Sequence, residues 1–128
     1  MYQPHQLGKW GEGKAEEYLK NKGYKILEKN FKQKWGEIDL IAFKKDVLVF
    51  VEVKTIEKLG PEEPFFPEDE LNERKAYQLR KMIQLYFDFK KISPETACQI
   101  DIIAIEKQGQ GEKEFDLRHY ENAFEDNF

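Results

Sequence analysis

The spacing of apolar and polar positions predicts helices and strands along the whole 128-residue chain. Over residues 8–22, Trp10, Ala15, Tyr18 and Leu19 recur at three- and four-residue intervals, the signature of an amphipathic helix, and Gly23 stands where a helix-terminating glycine belongs. Tyr24 to Phe31 (YKILEKNF) predicts a strand with Tyr24, Ile26 and Leu27 inward. Gly36 to Phe43 and Val47 to Lys54 predict a hairpin joined through Lys44-Lys45-Asp46. Its second arm is apolar at nearly every position, the pattern of a central strand covered on both faces. Pro61, Pro64 and Pro67, with Glu62, Glu63, Phe65 and Phe66 between them, exclude a regular element and predict a loop.

From Glu70 to about Lys91 the pattern is helical again, with Leu71, Ala76, Leu79, Met82, Ile83, Tyr86 and Phe87 on one stripe and Arg74, Lys75, Arg80 and Lys81 on its flanks. Ile92-Ser93-Pro94 ends that helix. Gln99 to Ile105 and Phe115 to Tyr120 predict two more strands around a turn at Gly109 to Gly111. The order α-β-β-β-α-β-β, a meander followed by a helical crossover, gives an α/β fold with a mixed sheet flanked by helices. We expect one domain over residues 1–128 with a polar tail from about residue 121.

Composition changes this picture little. The chain is 40% hydrophobic and 36% charged, and long enough to bury a sizeable core. Its one cysteine, Cys98, excludes an internal disulfide and reads as a core residue in a reducing compartment. The first residues have no apolar signal core, and the run Val47 to Val51 is too short to span a bilayer. A cytoplasmic protein without a membrane partner is the expectation. The net charge of -4 weighs against a sequence-independent nucleic-acid binder, but lysines crowd between Lys9 and Lys34 while the acidic excess lies at Glu62 to Glu70 and in the tail. Charge alone leaves two readings open, a basic face on an acidic protein and a solvated Lys/Glu surface. Phe65 and Phe66 in the proline-rich loop are candidates for docking on another chain or on a second copy, as in a homodimer.

The chemistry concentrates on the hairpin. Successive strand side chains alternate faces, so Glu52 and Lys54 point the same way from a covered strand. An unpaired carboxylate there costs several kcal/mol or is forced to neutralise. Lys54 can offset that cost as a structural ion pair; so can a cation shared with Asp39 of the neighbouring strand. Asp39 and Glu52 are hard oxygen ligands suited to Mg²⁺ or Mn²⁺, and such an ion lowers the pKa of a bound water and stabilises charge on a phosphoryl group. Lys54 would then position the water or neutralise the phosphate. Spacing alone leaves both readings open.

Gly36-Glu37-Ile38-Asp39, a hairpin, and then Glu52-Val53-Lys54 resembles the core of the PD-(D/E)xK nucleases. The wider chain resembles the YraN family of endonuclease-like bacterial proteins, through Gly11-Glu12, Ala15 and Leu19, Gly23-Tyr24, Asn30, Lys75, Asp101-Ile102-Ile103 and Asn122-Ala123-Phe124. Its first helix is also similar to that of archaeal Holliday-junction resolvases, which use a first-helix glutamate in the metal site. The resemblance implies a restriction-endonuclease-like fold and a divalent-metal-dependent nuclease. Its metal ligands would be Glu12, Asp39 and Glu52, its catalytic residues Asp39, Glu52 and Lys54, and its partner nucleic acid, DNA ahead of RNA. It also allows a non-catalytic nucleic-acid- or protein-binding module of the same fold. Two positions depart from the family pattern: Thr55-Ile56 stand where a basic residue usually follows, and Gln99-Ile100 precede Asp101 where an arginine is frequent.

The remaining chemistry-bearing residues read as structural. Asp101 is expected to bond a neighbouring loop, Trp10 and Trp35 to pack in the core, and His5 and His119 to lie on the surface. Gly8, Gly11 and Gly13 follow no strand, which excludes a dinucleotide-binding loop.

Overall fold

The computed structural model describes residues 3–58, 72–109 and 114–124. Its elements are α1 (Pro4–Asn21), β1 (Lys25–Gln33), β2 (Gly36–Lys44), β3 (Val47–Lys58), α2 (Glu73–Lys90), β4 (Ala97–Gln108) and β5 (Phe115–Tyr120). This is the expected order, in one five-stranded sheet arranged β1-β2-β3-β4-β5. β1, β2 and β3 form an antiparallel meander, β4 runs parallel to β3, and β5 returns antiparallel to β4. The proline-rich loop with Phe65 and Phe66, Leu71, and Gln110 and Gly111 of the last turn lie outside the described residues. Among the described residues no helix is long and apolar enough to cross a membrane.

Local chemistry sets the element ends. Pro4 occupies the first turn of α1, where a missing N–H costs nothing. At the other end Gly23 adopts a φ of 94°, the Gly23 N–H bonds the Lys20 carbonyl and the Tyr24 N–H bonds the Leu19 carbonyl, which closes the helix and turns the chain into β1. Lys45 and Asp46, both at positive φ, make the tight β2–β3 turn. The Asn72 side chain accepts the Lys75 N–H and caps α2, and Lys91 in the left-handed region ends it before Pro94.

The sheet separates two apolar layers. α2 covers one face with Ala76, Leu79, Met82, Ile83 and Tyr86 against Ile38, Ile41, Leu48, Phe50 and Ile100. Phe31 and Phe50 both meet the Tyr86 ring edge-on, at centroid distances of 5.3 and 5.8 Å. α1 covers the other face with Ala15 and Leu19 against Leu40, Ala42, Val49, Val51, Ile103 and Ile105. β3 and β4 are therefore covered on both sides, as their apolar sequences require. Trp10 packs in the α1 layer, edge-on to Phe115 at 5.5 Å.

Two expectations fail here. Trp35 is not a core residue: it sits in the β1–β2 turn and is 43% exposed. His119 is not on the surface. Its ring lies between Tyr18 of α1 and Asp101 of β4, with Nδ1 2.9 Å from the Tyr18 hydroxyl and Nε2 2.7 Å from Asp101 Oδ2. Fully buried Asp101 also accepts the Asn122 N–H and the Gln99 amide, so it fastens the segment after β5, as expected of a structural residue. The Ala123 N–H bonds the Ile100 carbonyl, and Phe124 is buried in the α2 layer.

Thr55 replaces an expected basic residue, and it lies under α1. A Cβ built on Gly11 would overlap Thr55 Oγ1 and stand 2.8 Å from Thr55 Cβ, so α1 approaches β3 closely only because residue 11 is glycine. Gly11→Ala is expected to destabilise the fold by about 1–3 kcal/mol through overpacking. Gly13→Ala, with nothing within 4 Å of its Cβ, should stabilise it by about 0.5–1 kcal/mol through the helical preference of alanine. Thermal melts of the two variants test this; equal shifts would contradict the close approach at Gly11.

Candidate metal centre

β2 and β3 pair from Lys44 opposite Val47 to Leu40 opposite Val51, and there the pairing ends. Among the described residues β3 runs on to Lys58 paired with β4 alone. In place of the next rung, Asp39 Oδ2 accepts the Val53 N–H at 2.7 Å. The side chain closes the notch where the two strands part, which brings its carboxylate beside Glu52.

Asn30 of β1 takes a φ of 52°, while the β1–β2 register holds across it, from Lys29 opposite Leu40 to Phe31 opposite Ile38; the register shift of this pair lies earlier, between Ile26 and Glu28. Strict alternation fails in β2: Ile38 packs in the α2 layer with Ile41, whereas Leu40 between them packs under α1. The Asn30 amide nitrogen donates to Glu12 Oε1 of α1 and to Glu37 Oε1 of β2, both at 2.9 Å. Two open hollows of about 240 and 160 Å³ flank this point, and both are lined by Lys9, Glu12 and Asn30. A larger hollow of about 480 Å³ lies apart, between α2 and the segment at Ala123 and Phe124.

Glu52 sits on the α2 side. Lys75, in the capped first turn of α2, places Nζ 3.1 Å from Glu52 Oε1. The other oxygen, Glu52 Oε2, is buried and has no hydrogen-bond partner among the described residues. Burial pushes the Asp39 carboxyl up to about 7; the Val53 N–H opposes that rise, and the negative charges of Glu52, Glu12 and Glu37 add to it. Four carboxylates thus gather at the splayed end of the hairpin, and one buried oxygen of Glu52 has no donor among the described residues.

The sequence-predicted residues fall into place unevenly. Asp39 lies within electrostatic reach of Glu52 at the notch, and strand alternation puts Lys54 on the Glu52 side of β3. Glu12 reaches the same end from α1 but is tied to Asn30, and among the described residues no three Asp, Glu, His or Cys side chains stand preassembled as a metal cluster. Sequence reasoning missed the roles of Asn30 and Lys75. A polar residue within a strand was the signal for the first, and a lysine just after a helix cap was the signal for the second.

An unpaired buried carboxylate oxygen next to a carboxyl with raised proton affinity suits a divalent cation, which would supply the missing positive charge. Asp39 and Glu52 fit such an ion as hard ligands, and Glu12 is the third carboxylate within the cluster.

The raised Asp39 carboxyl makes stability depend on pH. Between the ordinary carboxylate range near pH 4 and about pH 7 the folded chain holds a proton that the unfolded chain has lost. Stability from this group therefore falls as pH rises through that window and stays lost above it. In metal-free buffer Asp39→Asn should be more stable than wild type at pH 8 by a few kcal/mol, since each tenfold rise in proton affinity corresponds to about 1.4 kcal/mol. The gain should shrink to nothing near pH 4. Melting curves at the two pH values check this, and a variant less stable than wild type by the same amount at both would contradict the raised carboxyl.

The model of a protein family described as "Uncharacterised protein family UPF0102" matches residues 11–105. A UPF0102 protein of Fervidobacterium nodosum is 41% identical over 110 residues, covering 85% of this chain and 74% of the relative. A UPF0102 protein of Syntrophomonas wolfei is 39% identical over 122 residues, covering 93% and 97%. One of Thermodesulfovibrio yellowstonii is 40% identical over 121 residues, covering 93% and 96%. All the acidic residues of the site lie within the matched span.

Proposed function

The chain belongs to the UPF0102 family, the YraN family of the sequence resemblance, and from its acidic site we propose that it is a divalent-metal-dependent nuclease hydrolysing DNA phosphodiester bonds. The observation that carries this reading is the buried Glu52 Oε2, without a donor among the described residues, beside an Asp39 carboxyl pushed up to about 7. Asp39 and Glu52 would hold Mg²⁺ or Mn²⁺, with Glu12 as the third carboxylate. When bound, such an ion supplies Lewis-acid stabilisation of the charge that develops on the phosphate oxygens.

The protein's own groups supply the rest. Ionised Asp39 is needed for the site to carry its charge, so activity should rise with pH through neutrality. Lys54, two residues beyond Glu52, would hold a proton-donating ammonium on the same side of β3, positioning the attacking water or neutralising the phosphate. Lys75 holds Glu52 through Oε1, which leaves Oε2 as the oxygen that would take the ion. Lys9, on the rim of both hollows, offers positive charge to a backbone approaching between α1 and β1.

The Lys75–Glu52 ion pair and the lack of a preassembled three-carboxylate cluster among the described residues favour a second reading, a non-catalytic binding module of the same fold. The two differ in metal dependence. Single-stranded and branched DNA incubated with Mg²⁺ or Mn²⁺ should be cut by wild type and spared in chelator. Asp39→Asn and Glu52→Gln should each lose at least about 100-fold in rate, the loss expected when several kcal/mol of charge stabilisation are removed. Cleavage that survives both substitutions would overturn the assignment, and DNA binding without cleavage, indifferent to chelator, would support the module.

A further inference from the structure

Two large aromatic side chains near the β1–β2 turn are left in water. Trp35, at the tip of the β1–β2 turn, is 43% exposed, and Tyr77, on the α2 face opposite the buried stripe, is 54% exposed. They come from separate elements yet form one patch. Lys81, one helical turn beyond Tyr77, places Nζ 4.8 Å from the Trp35 ring centroid and 5.1 Å from that of Tyr77. Lys34 places Nζ 5.2 Å from the Trp35 centroid. The cations join the rings without covering them, since both rings keep about half their surface in solvent.

The chemistry of the patch selects its occupant. A partner that buried two aromatic rings by apolar contact alone would have to desolvate the two ammonium groups beside those rings. An unpaired nucleotide supplies their counter-charge: its phosphate pairs with Lys34 or Lys81 as its base stacks on the open part of an indole or phenol face. Paired bases present no free face to the rings along a duplex, so the patch favours a strand whose bases are open.

Position adds to this. Trp35 lies four residues from Asp39, roughly 13 Å along β2 at strand rise. Exposed Lys32 and the Lys9-lined hollow lie on the β1 and α1 side of the same turn. A strand stacked on Trp35 would therefore have its backbone within a few nucleotides of the carboxylates.

We propose that Trp35, Lys81 and Tyr77 form a base-stacking platform that binds an unpaired DNA strand and presents the adjoining phosphodiester to the Asp39–Glu52 site. Delivery to that site rests on the nuclease reading above; stacking itself does not. The test measures binding in chelator, where cleavage plays no part, with a fluorescein-labelled oligodeoxythymidylate and a blunt duplex of equal length. Wild type should prefer the single strand, and that strand should quench tryptophan emission. Trp35→Ala and Tyr77→Ala should each weaken single-strand binding about ten-fold and leave duplex binding unchanged. Both residues are exposed, so the variants should melt like wild type; Trp35→Phe, which keeps a ring, should retain most of the affinity. Single-strand affinity in Trp35→Ala equal to wild type, or no preference for the single strand in wild type, would overturn the platform even if the protein cuts DNA. A protein that stacks single strands but never cuts would keep the platform and remove the nuclease reading.

Discussion

The burial of carboxylates where β2 leaves β3 is the constraint on which this end of the molecule depends. A charged group removed from water must find donors, a counter-charge or a proton. Asp39 takes the Val53 N–H that the strand pairing gives up, and its carboxyl still rises to about 7. Glu52 takes the Lys75 ammonium on one oxygen and keeps the other buried without a donor among the described residues. Glu12 and Glu37 share the amide of Asn30. A fold selected for stability alone would place apolar side chains there; keeping acidic ones lowers stability at neutral pH and creates a place for positive charge.

The rest of the architecture brings the two helices to this point. Gly11 lets α1 settle on Thr55 of β3, which carries Glu12 toward Asn30. Asn72 fixes the first turn of α2, which carries Lys75 to Glu52. On the far side of the sheet, Asp101 collects His119, Gln99 and the Asn122 N–H, and so anchors β5 and the segment that lays Phe124 into the α2 layer. His119 serves the fold, as a bridge between Tyr18 and Asp101.

Much of this was legible in the sequence, and the reasons are local. The stripe on α2, the apolar run of β3 and the termination signals at Gly23 and Pro94 each act within a few residues, so element order and type follow from pattern alone. Asp39 and Glu52 stood out because a carboxylate in or beside a covered strand needs an explanation. What escaped depends on residues far apart. β3 extends to Lys58 because it pairs with β4, which follows a helix. His119 is buried by Tyr18, 101 residues away. Trp35 reads as core by composition, but a turn tip has nothing above it. Ile38 packs in the opposite layer from Leu40, two residues on, a change that no alternation rule anticipates. The departure at Thr55 has a packing role under Gly11 that only the α1–β3 contact reveals.

The central claim is that the buried Glu52 oxygen and the Asp39 carboxyl exist to receive a divalent cation. Titration of Mn²⁺ into wild type and into Glu52→Gln by calorimetry, at a pH above the Asp39 transition, tests it most directly. The account predicts saturable binding by wild type, with proton release when the titration is repeated near pH 6, and no saturable heat from a Glu52→Gln protein that folds normally. Titrations in which the two proteins behave alike would contradict it and leave the Lys75–Glu52 pair as a structural ion pair.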